Sequence, residues 1–125
     1  MCKILLSINP QHVQSIFEGK KEYEFRKIQC KEEVDKIIIY ATYPVMKVVA
    51  EVDVEEILID TPKEIWNKTK KKSGISQEFF FKYYAGKTKA IAYKLRNLNI
   101  FEEPRTLQDY GISAPPQSFV YVHAS

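Results

Sequence analysis

Apolar and polar positions alternate with a period of two through much of this chain, and helical spacing takes over in only three short places. Lys3 to Ile8 reads as a first strand. Asn9 then offers a helix cap and Pro10 stands at the first helical position, where a missing amide hydrogen costs nothing. Val13, Ile16 and Phe17 share one face of that helix, and Gly19 stops it. A short strand over Lys21 to Lys27 comes next, with Tyr23 and Phe25 expected inward and Glu24 and Arg26 on the opposite face. Lys36 to Thr42 is rich in β-branched residues and reads as a buried strand, broken by Tyr43-Pro44. Lys47 to Asp53 gives the clearest alternation, with Val48, Ala50 and Val52 inward and Val54 continuing the set.

Thr61-Pro62-Lys63-Glu64 has the spacing of a capping box and opens a helix through about Lys71 that buries Ile65 and Trp66. Ser76 caps a further short helix whose apolar side is Phe79, Phe80, Tyr83 and Tyr84, ended by Gly86. Lys87 to Asn97 returns to strand, with Ile91, Tyr93 and Leu95 on one face. Ile100 to Leu107 is a weaker extended segment interrupted by Pro104, and a turn-rich stretch from Gly111 to Pro116 leads to a last strand, Gln117 to Val122. Five or six strands without steady strand-helix alternation predict a small α+β domain with a curled or closed sheet.

At 125 residues the chain fits a single domain spanning 1–125, long enough to bury a core without disulfide or metal staples. Its apolar runs are strand-sized, so no membrane span is expected, and the start lacks a charged leader and cleavage site, which makes the cytoplasm the default expectation; the sequence leaves the oligomeric state open, with a monomer as the default. Cys2 and Cys30 form no Cys-x-x-Cys pair and read as free thiols. With His12 and His123 the only histidines, neither a metal site nor a histidine-based triad is expected. The absence of a glycine-rich phosphate loop removes the usual ATP and dinucleotide enzymes, and no cofactor is implied.

The net charge of +3 conceals a strong asymmetry. Between Pro62 and Leu98 there are 10 basic residues against 2 acidic ones, whereas residues 1–61 carry 8 against 11. Lys68, Lys70, Lys71 and Lys72 lie at the centre of this basic segment. It reads either as a solvated lysine-rich surface or as a patch whose positive field attracts phosphates.

The corner Gly19-Lys20-Lys21-Glu22-Tyr23-Glu24-Phe25-Arg26 concentrates the candidate chemistry. A carboxylate between an ammonium and a guanidinium at the rim of a core can bind a polar ligand or activate a water, although the same pattern also occurs as a charged strand face with weak ion pairs.

Three stretches in order, Leu6-Ser7-Ile8-Asn9-Pro10, Gly19-x-Lys21-x-x-Glu24-x-Arg26 and Pro115-Pro116-Gln117-Ser118-Phe119-x-Tyr121, together resemble the ASCH domain, a branch of the PUA-like proteins, from Ile4 to Val122. The resemblance implies a PUA-like small β-barrel of mixed strands with flanking short helices, and a cleft floored by the Lys21 to Arg26 strand. RNA or a modified nucleoside is the implied occupant. The subgroup it most resembles is the small stand-alone microbial type, described as RNA-binding proteins or transcriptional regulators. Some small ASCH proteins are amidohydrolases that deacetylate acetylated cytidine with a lysine, a threonine nucleophile and a glutamate, and another is a ribonuclease. Lys21 matches the lysine, Glu24 stands where the threonine would be, and no acid lies near Ser73 to match the glutamate. A carboxylate cannot replace a hydroxyl nucleophile in that mechanism.

Three functions are compatible with these residues. In the first, Lys21 and Arg26 grip phosphate or a base edge, Glu24 accepts from an amino group, and the basic segment holds the backbone. In the second, Glu24 is the general base of a hydrolase or ribonuclease, with Lys21 and Arg26 facing the developing oxyanion. In the third, the basic segment docks an acidic protein. Ser7 and Asn9, beside a helix N-terminus, are anion-site candidates, with Asn9 as a plain cap the alternative. Tyr40 and Thr42 are candidates for the cleft lining, and Gln117 and Ser118 for hydrogen bonds to a ligand. Of Trp66, Phe79, Phe80 and Phe81, Phe81 is the expected exposed stacker and the others core.

Overall fold

The computed structural model, which describes residues 2–122, orders the chain as β1 (Lys3–Ile8), α1 (Pro10–Phe17), β2 (Tyr23–Arg26), β3 (Lys36–Ala41), β4 (Lys47–Asp60), α2 (Pro62–Thr69), a 3-10 turn (Lys70–Lys72), α3 (Gln77–Tyr83), β5 (Ala90–Arg105), a second 3-10 turn (Leu107–Tyr110) and β6 (Phe119–Val122). His123 lies outside the described residues. The strands form one sheet in the order β2-β5-β4-β3-β1-β6. β1 runs parallel to β3, and every other pairing is antiparallel.

The sheet is mixed and curled into a half-barrel. Its concave face buries Ile4, Leu6, Ile8, Ile37, Ile39, Ala50, Val52, Ile91, Tyr93 and Leu95 in one core, joined by Val13 and Ile16 of α1. The other face of β1 and β3 buries Leu5, Ile38 and Tyr40 with Val48, Phe101 and Leu107. β3 is thus covered on both sides, which explains its unbroken Ile-Ile-Ile-Tyr run. A bulge changes the pairing from Ile39 opposite Ala50 to Tyr40 opposite Val48, and this places Val48 on the second face although Ala50 and Val52 line the first. A third core, of Phe25, Ile65, Trp66, Phe80, Tyr84, Ala90 and Ala92, holds α2 and α3 against the β2–β5 end of the sheet.

The curl brings the β2 edge round to β1. The Arg26 guanidinium donates to the Ser7 carbonyl at 2.9 Å, and the Lys31 backbone N–H donates to the Tyr121 hydroxyl at 3.1 Å. Side chains therefore join the two sides of the half-barrel where the strand ladder does not.

Several element boundaries differ from those the pattern predicts. β5 is one strand of 16 residues, uniting the strand expected up to Asn97 with the weaker segment from Ile100 that Pro104 interrupts. β2 pairs only with Ile91 to Lys94, so at Pro104 β5 has β4 as its one ladder partner and its other edge is open, a setting in which a strand tolerates proline. β4 likewise runs on to Asp60, bending through three irregularities in its pairing with β5. Phe25 is buried as expected, but under α2 and α3, whereas Glu24 and Arg26 sit opposite Tyr93 and Ile91 and share their concave face. The Thr61 hydroxyl caps α2 by accepting from Glu64 N–H at 3.3 Å, while the Thr61 N–H is satisfied by Asp60 rather than by Glu64.

Candidate functional site

Lys21 reaches the site through a sharp corner. α1 ends beyond Phe17, Gly19 takes a left-handed φ of 76°, and the N–H groups of Lys20 and Lys21 both return to the Ser15 carbonyl. The turn after α2 then closes over Lys21. Glu22 N–H donates to the Lys72 carbonyl at 2.8 Å, and Lys21 Nζ donates to the Ser73 carbonyl at 3.1 Å. Gly74 completes the cover with φ at 71°, and a Cβ on it would stand 2.5 Å from the Lys21 Cβ. The lysine is left 4% exposed, with Nζ 4.6 Å from the centre of the Phe25 ring.

The Glu24 carboxylate and the Arg26 guanidinium make the floor. Glu24 is 7% exposed, and its Oε2 lies 3.1 Å from Arg26 Nε. The separation is that of an ion pair, but the N–H does not point at the oxygen, and Arg26 Nε is buried without a hydrogen-bond partner among the described residues. The end of β2 is held firmly. Tyr84 OH donates to the Arg26 carbonyl at 2.9 Å, and Tyr83 OH to the Phe25 carbonyl at 3.4 Å.

Around this floor opens a cleft of about 140 Å³, lined by Ser7, Asn9 and His12 on one side and by Ile75, Phe79 and Tyr83 on the other. At roughly 30 Å³ per water this is space for a few waters or one flat ring, well below the roughly 300 Å³ at which pockets enclose larger ligands. His12 meets the Phe79 ring edge to face at 5.7 Å, and Phe79 stacks with Tyr83 at 6.5 Å. Burial pushes the His12 pKa down, with Lys21 and Arg26 lowering it further and Glu24 opposing them. Burial pushes the Tyr83 phenol up, with Arg26 lowering it and Glu24 raising it. Among the described residues no group of three or more His, Cys, Asp or Glu side chains can hold a metal ion.

Burial also pushes the Lys21 pKa below the ordinary lysine value, against the pull of Glu24 and with a further push from Arg26. Between that lowered value and the unfolded value of about 10.4, the unfolded chain binds more protons than the native protein, so stability rises with pH across this window. Lys21→Met is expected to flatten that rise in urea denaturation monitored from neutral pH to pH 10. An unchanged slope would show that Lys21 is not the group responsible.

Five of the residues singled out from sequence, Ser7, Asn9, Lys21, Glu24 and Arg26, come together in this cleft. Asn9 acts as the cap. Its side chain accepts from Gln11 N–H, and its carbonyl accepts from the N–H groups of His12 and Val13, which leaves no amide there for an anion. Ser7 Oγ donates to the Pro116 carbonyl at 2.8 Å, bringing the segment before Gln117 and Ser118 alongside β1 while those two side chains stay outside the cleft lining. Tyr40 is 3% exposed in the second core, and Thr42 begins the turn after β3 with its N–H on the Ile8 carbonyl. Neither lines the cleft. Lys70, Lys71 and Lys72 form the 3-10 turn bonded to the β2 approach, so the basic patch adjoins the Lys21 corner; Lys72 pairs with Glu22 at 3.5 Å and Lys68 with Asp60 at 3.5 Å.

Phe79, rather than Phe81, is the exposed ring in the cleft. Phe79 is 48% exposed and lines the cleft, whereas Phe81, also exposed at 36%, lies outside the lining and packs edge-on against Phe80 and Trp66. His12, Ile75 and Tyr83 join the lining although the sequence pattern does not single them out. The cap at Asn9 is the available signal for His12, since it fixes which residues form the first turn facing β2.

The family model of the ASCH domain matches residues 6–104. The chain belongs to the ASCH family. It is 30% identical over 122 residues to an ASCH domain-containing ribonuclease of Zymomonas mobilis, covering 94% of this chain and 82% of that protein. It is also 32% identical over 120 residues to the large ribosomal subunit protein uL22 of Ureaplasma parvum serovar 3, but that match, 95% of this chain, spans only 39% of the relative. The crystal structure of ASCH from Zymomonas mobilis superposes with a TM-score of 0.86 at 27% identity, covering 97% of this chain and 87% of that one. The ASCH domain thus has here its α+β, PUA-like architecture of a curled mixed sheet with short flanking helices.

Proposed function

We propose that this ASCH domain binds RNA, seating one unstacked base in the cleft while the lysine-rich turn holds the neighbouring phosphates. The observation that carries this reading is the floor. The Glu24 and Arg26 side chains are only 9% and 16% exposed, no group among the described residues donates a hydrogen bond to the Glu24 carboxylate, and the pair lines a space the size of one ring. Buried polar groups are normally paired, so unspent capacity at the bottom of a cleft suits a ligand that completes it. His12, Phe79 and Tyr83 supply faces and edges for stacking, the usual way an unpaired RNA base is held. A free modified nucleoside would use the same groups, and saturable binding of nucleosides without salt dependence would favour that narrower ligand.

Lys70 and Lys71 are exposed and stand next to the Lys21 corner. Retention of a short single-stranded RNA is therefore expected to weaken with salt, and changing both lysines to alanine is expected to reduce the slope of log affinity against log salt by about 1.4, roughly 0.7 per lost phosphate contact. An unchanged slope would remove the turn from the interface.

A second reading, RNA cleavage, is favoured by the likeness to the Zymomonas mobilis protein described as a ribonuclease. In it Glu24 takes the proton of a ribose 2′-hydroxyl, the 2′-oxygen bonds to the adjacent phosphorus as the P–O5′ bond breaks, and the 5′-oxygen leaves with a proton from water, while Lys21 and Arg26 face the charge that develops on phosphate. Incubating the RNA with the protein and reading its length by mass spectrometry separates the two. Fragments that vanish with Glu24→Gln make the domain a ribonuclease, and intact RNA retained on the protein makes it a binding module.

A further inference from the structure

Of the polar groups that line the cleft, the imidazole of His12 has the fewest commitments within the protein. It stands in the first turn of α1, partly buried, with its ring edge to face against Phe79 at 5.7 Å. Among the described residues nothing hydrogen-bonds to either ring nitrogen, and neither nitrogen is a buried unpaired atom. Both therefore keep access to solvent at a wall of the cleft.

The charges around this ring leave an excess of one sign. From β2 and the corner before it come Lys21, Glu24 and Arg26, two cations against one carboxylate, and from α3 comes the Tyr83 phenol. Neither β1 nor the rest of α1 adds a titratable side chain to the lining. Burial, with Lys21 and Arg26 acting in the same direction, holds the His12 pKa below the ordinary value of about 6.5, so the ring is largely neutral at neutral pH. An anion entering the cleft would reverse that balance.

We propose that His12 is the phosphate contact of this cleft and takes up a proton as the phosphodiester of the seated nucleotide arrives, an assignment that rests on the reading of the cleft as an RNA-binding site. The phosphate offsets the local excess of positive charge and offers oxygens as acceptors. Both effects favour the imidazolium, which has two N–H donors. The coupling is reciprocal, so the factor by which phosphate raises the affinity of His12 for a proton is the factor by which the proton raises the affinity of the cleft for phosphate. Binding then strengthens as pH falls from the pKa of the complex to that of the free protein, and is flat outside that window.

A short single-stranded RNA of uridines without terminal phosphates is the probe, because neither its phosphodiesters nor its bases titrate between about pH 5.5 and about pH 8. Calorimetric titration at constant ionic strength is expected to show about tenfold tighter binding at the lower pH, equivalent to a rise of about one pKa unit on binding. Uridine, which has no phosphate, is expected to show no such rise, and His12→Gln to abolish it. The imidazole C2–H resonance gives a second readout on the unaltered histidine and decides if His12→Gln fails to fold. The chain has 2 histidines, and a His123→Gln variant assigns the signal. Its titration midpoint is expected to move up by about one pH unit at saturating RNA. An unmoved midpoint, a pH dependence that persists in His12→Gln, or the same dependence with uridine would overturn the phosphate contact while leaving RNA binding intact. Failure of the RNA to bind at any pH would remove the underlying reading as well.

Discussion

Gly74→Ala is expected to destabilise the protein by about 3 kcal/mol, combining roughly 1–2 kcal/mol for a side chain in the left-handed region with roughly 1–3 kcal/mol for overpacking. The second contribution is specific to this position. The new Cβ would lie 2.5 Å from the Lys21 Cβ and 3.1 Å from its Cα, so either the 72–75 turn lifts or Lys21 leaves its place against Ser73 and Phe25. Gly19→Ala is the matched control. Gly19 has a φ of 76°, but nothing lies within 4 Å of a Cβ built there, so only the backbone strain of about 1–2 kcal/mol applies. Urea denaturation measures both costs, and retention of single-stranded RNA is expected to fall with Gly74→Ala and to survive Gly19→Ala. Equal behaviour of the two variants would mean that the contact between Gly74 and Lys21 does not shape the cleft.

Arg26→Ala is expected to cost about 3 kcal/mol, the lower end of the loss when one partner of a buried pair is removed and the other charge stays. Arg26 serves two structural roles. It compensates Glu24, and its bond to the Ser7 carbonyl ties the β2 edge to β1 across the mouth of the half-barrel. The two roles separate in a double-mutant cycle. Glu24→Gln added to Arg26→Ala removes the uncompensated charge but not the broken tie, so part of the loss is expected to return, with a coupling energy of about 1–2 kcal/mol. Strict additivity would show that the 3.1 Å approach of the two groups carries no interaction energy.

The strands and helices were legible from the chain because local signals agreed with tertiary ones. Asn9-Pro10, Thr61-Pro62 and Ser76 each cap a helix where the pattern puts one. What escaped the sequence was produced by bulges and by contacts distant along the chain. Val48 shares the inward positions of the alternation with Ala50 and Val52 in sequence, yet the bulge opposite Ile39 and Tyr40 sends it to another core. Pro104 reads as a break because the sequence does not reveal that β2 covers only a few residues of β5. Phe79 and Phe81 lie two apart on a helix of seven residues, and which of them faces the cleft is set by the packing of Phe80 against Phe25 and Trp66.

In the candidate site, Lys21, Glu24 and Arg26 stood out because charge was crowded onto one short strand. Their partners did not stand out, since Ser73 and Gly74 are more than fifty residues away and neutral. The resemblance to the ASCH domain rested on this corner together with a stretch near either end of the chain, and the family match over residues 6–104 covers the first two of the three.

A titration of the isotopically labelled protein with a short single-stranded RNA, monitored by backbone amide shifts, bears most directly on the central claim that this cleft is the binding surface. The expected perturbations run through residues 7–12, 21–27 and 70–83, and weaken when Glu24 is changed to Gln. Perturbations confined to the 42–47 turn or to residues 112–118, with the Lys21 to Arg26 strand unmoved at saturation, would contradict it.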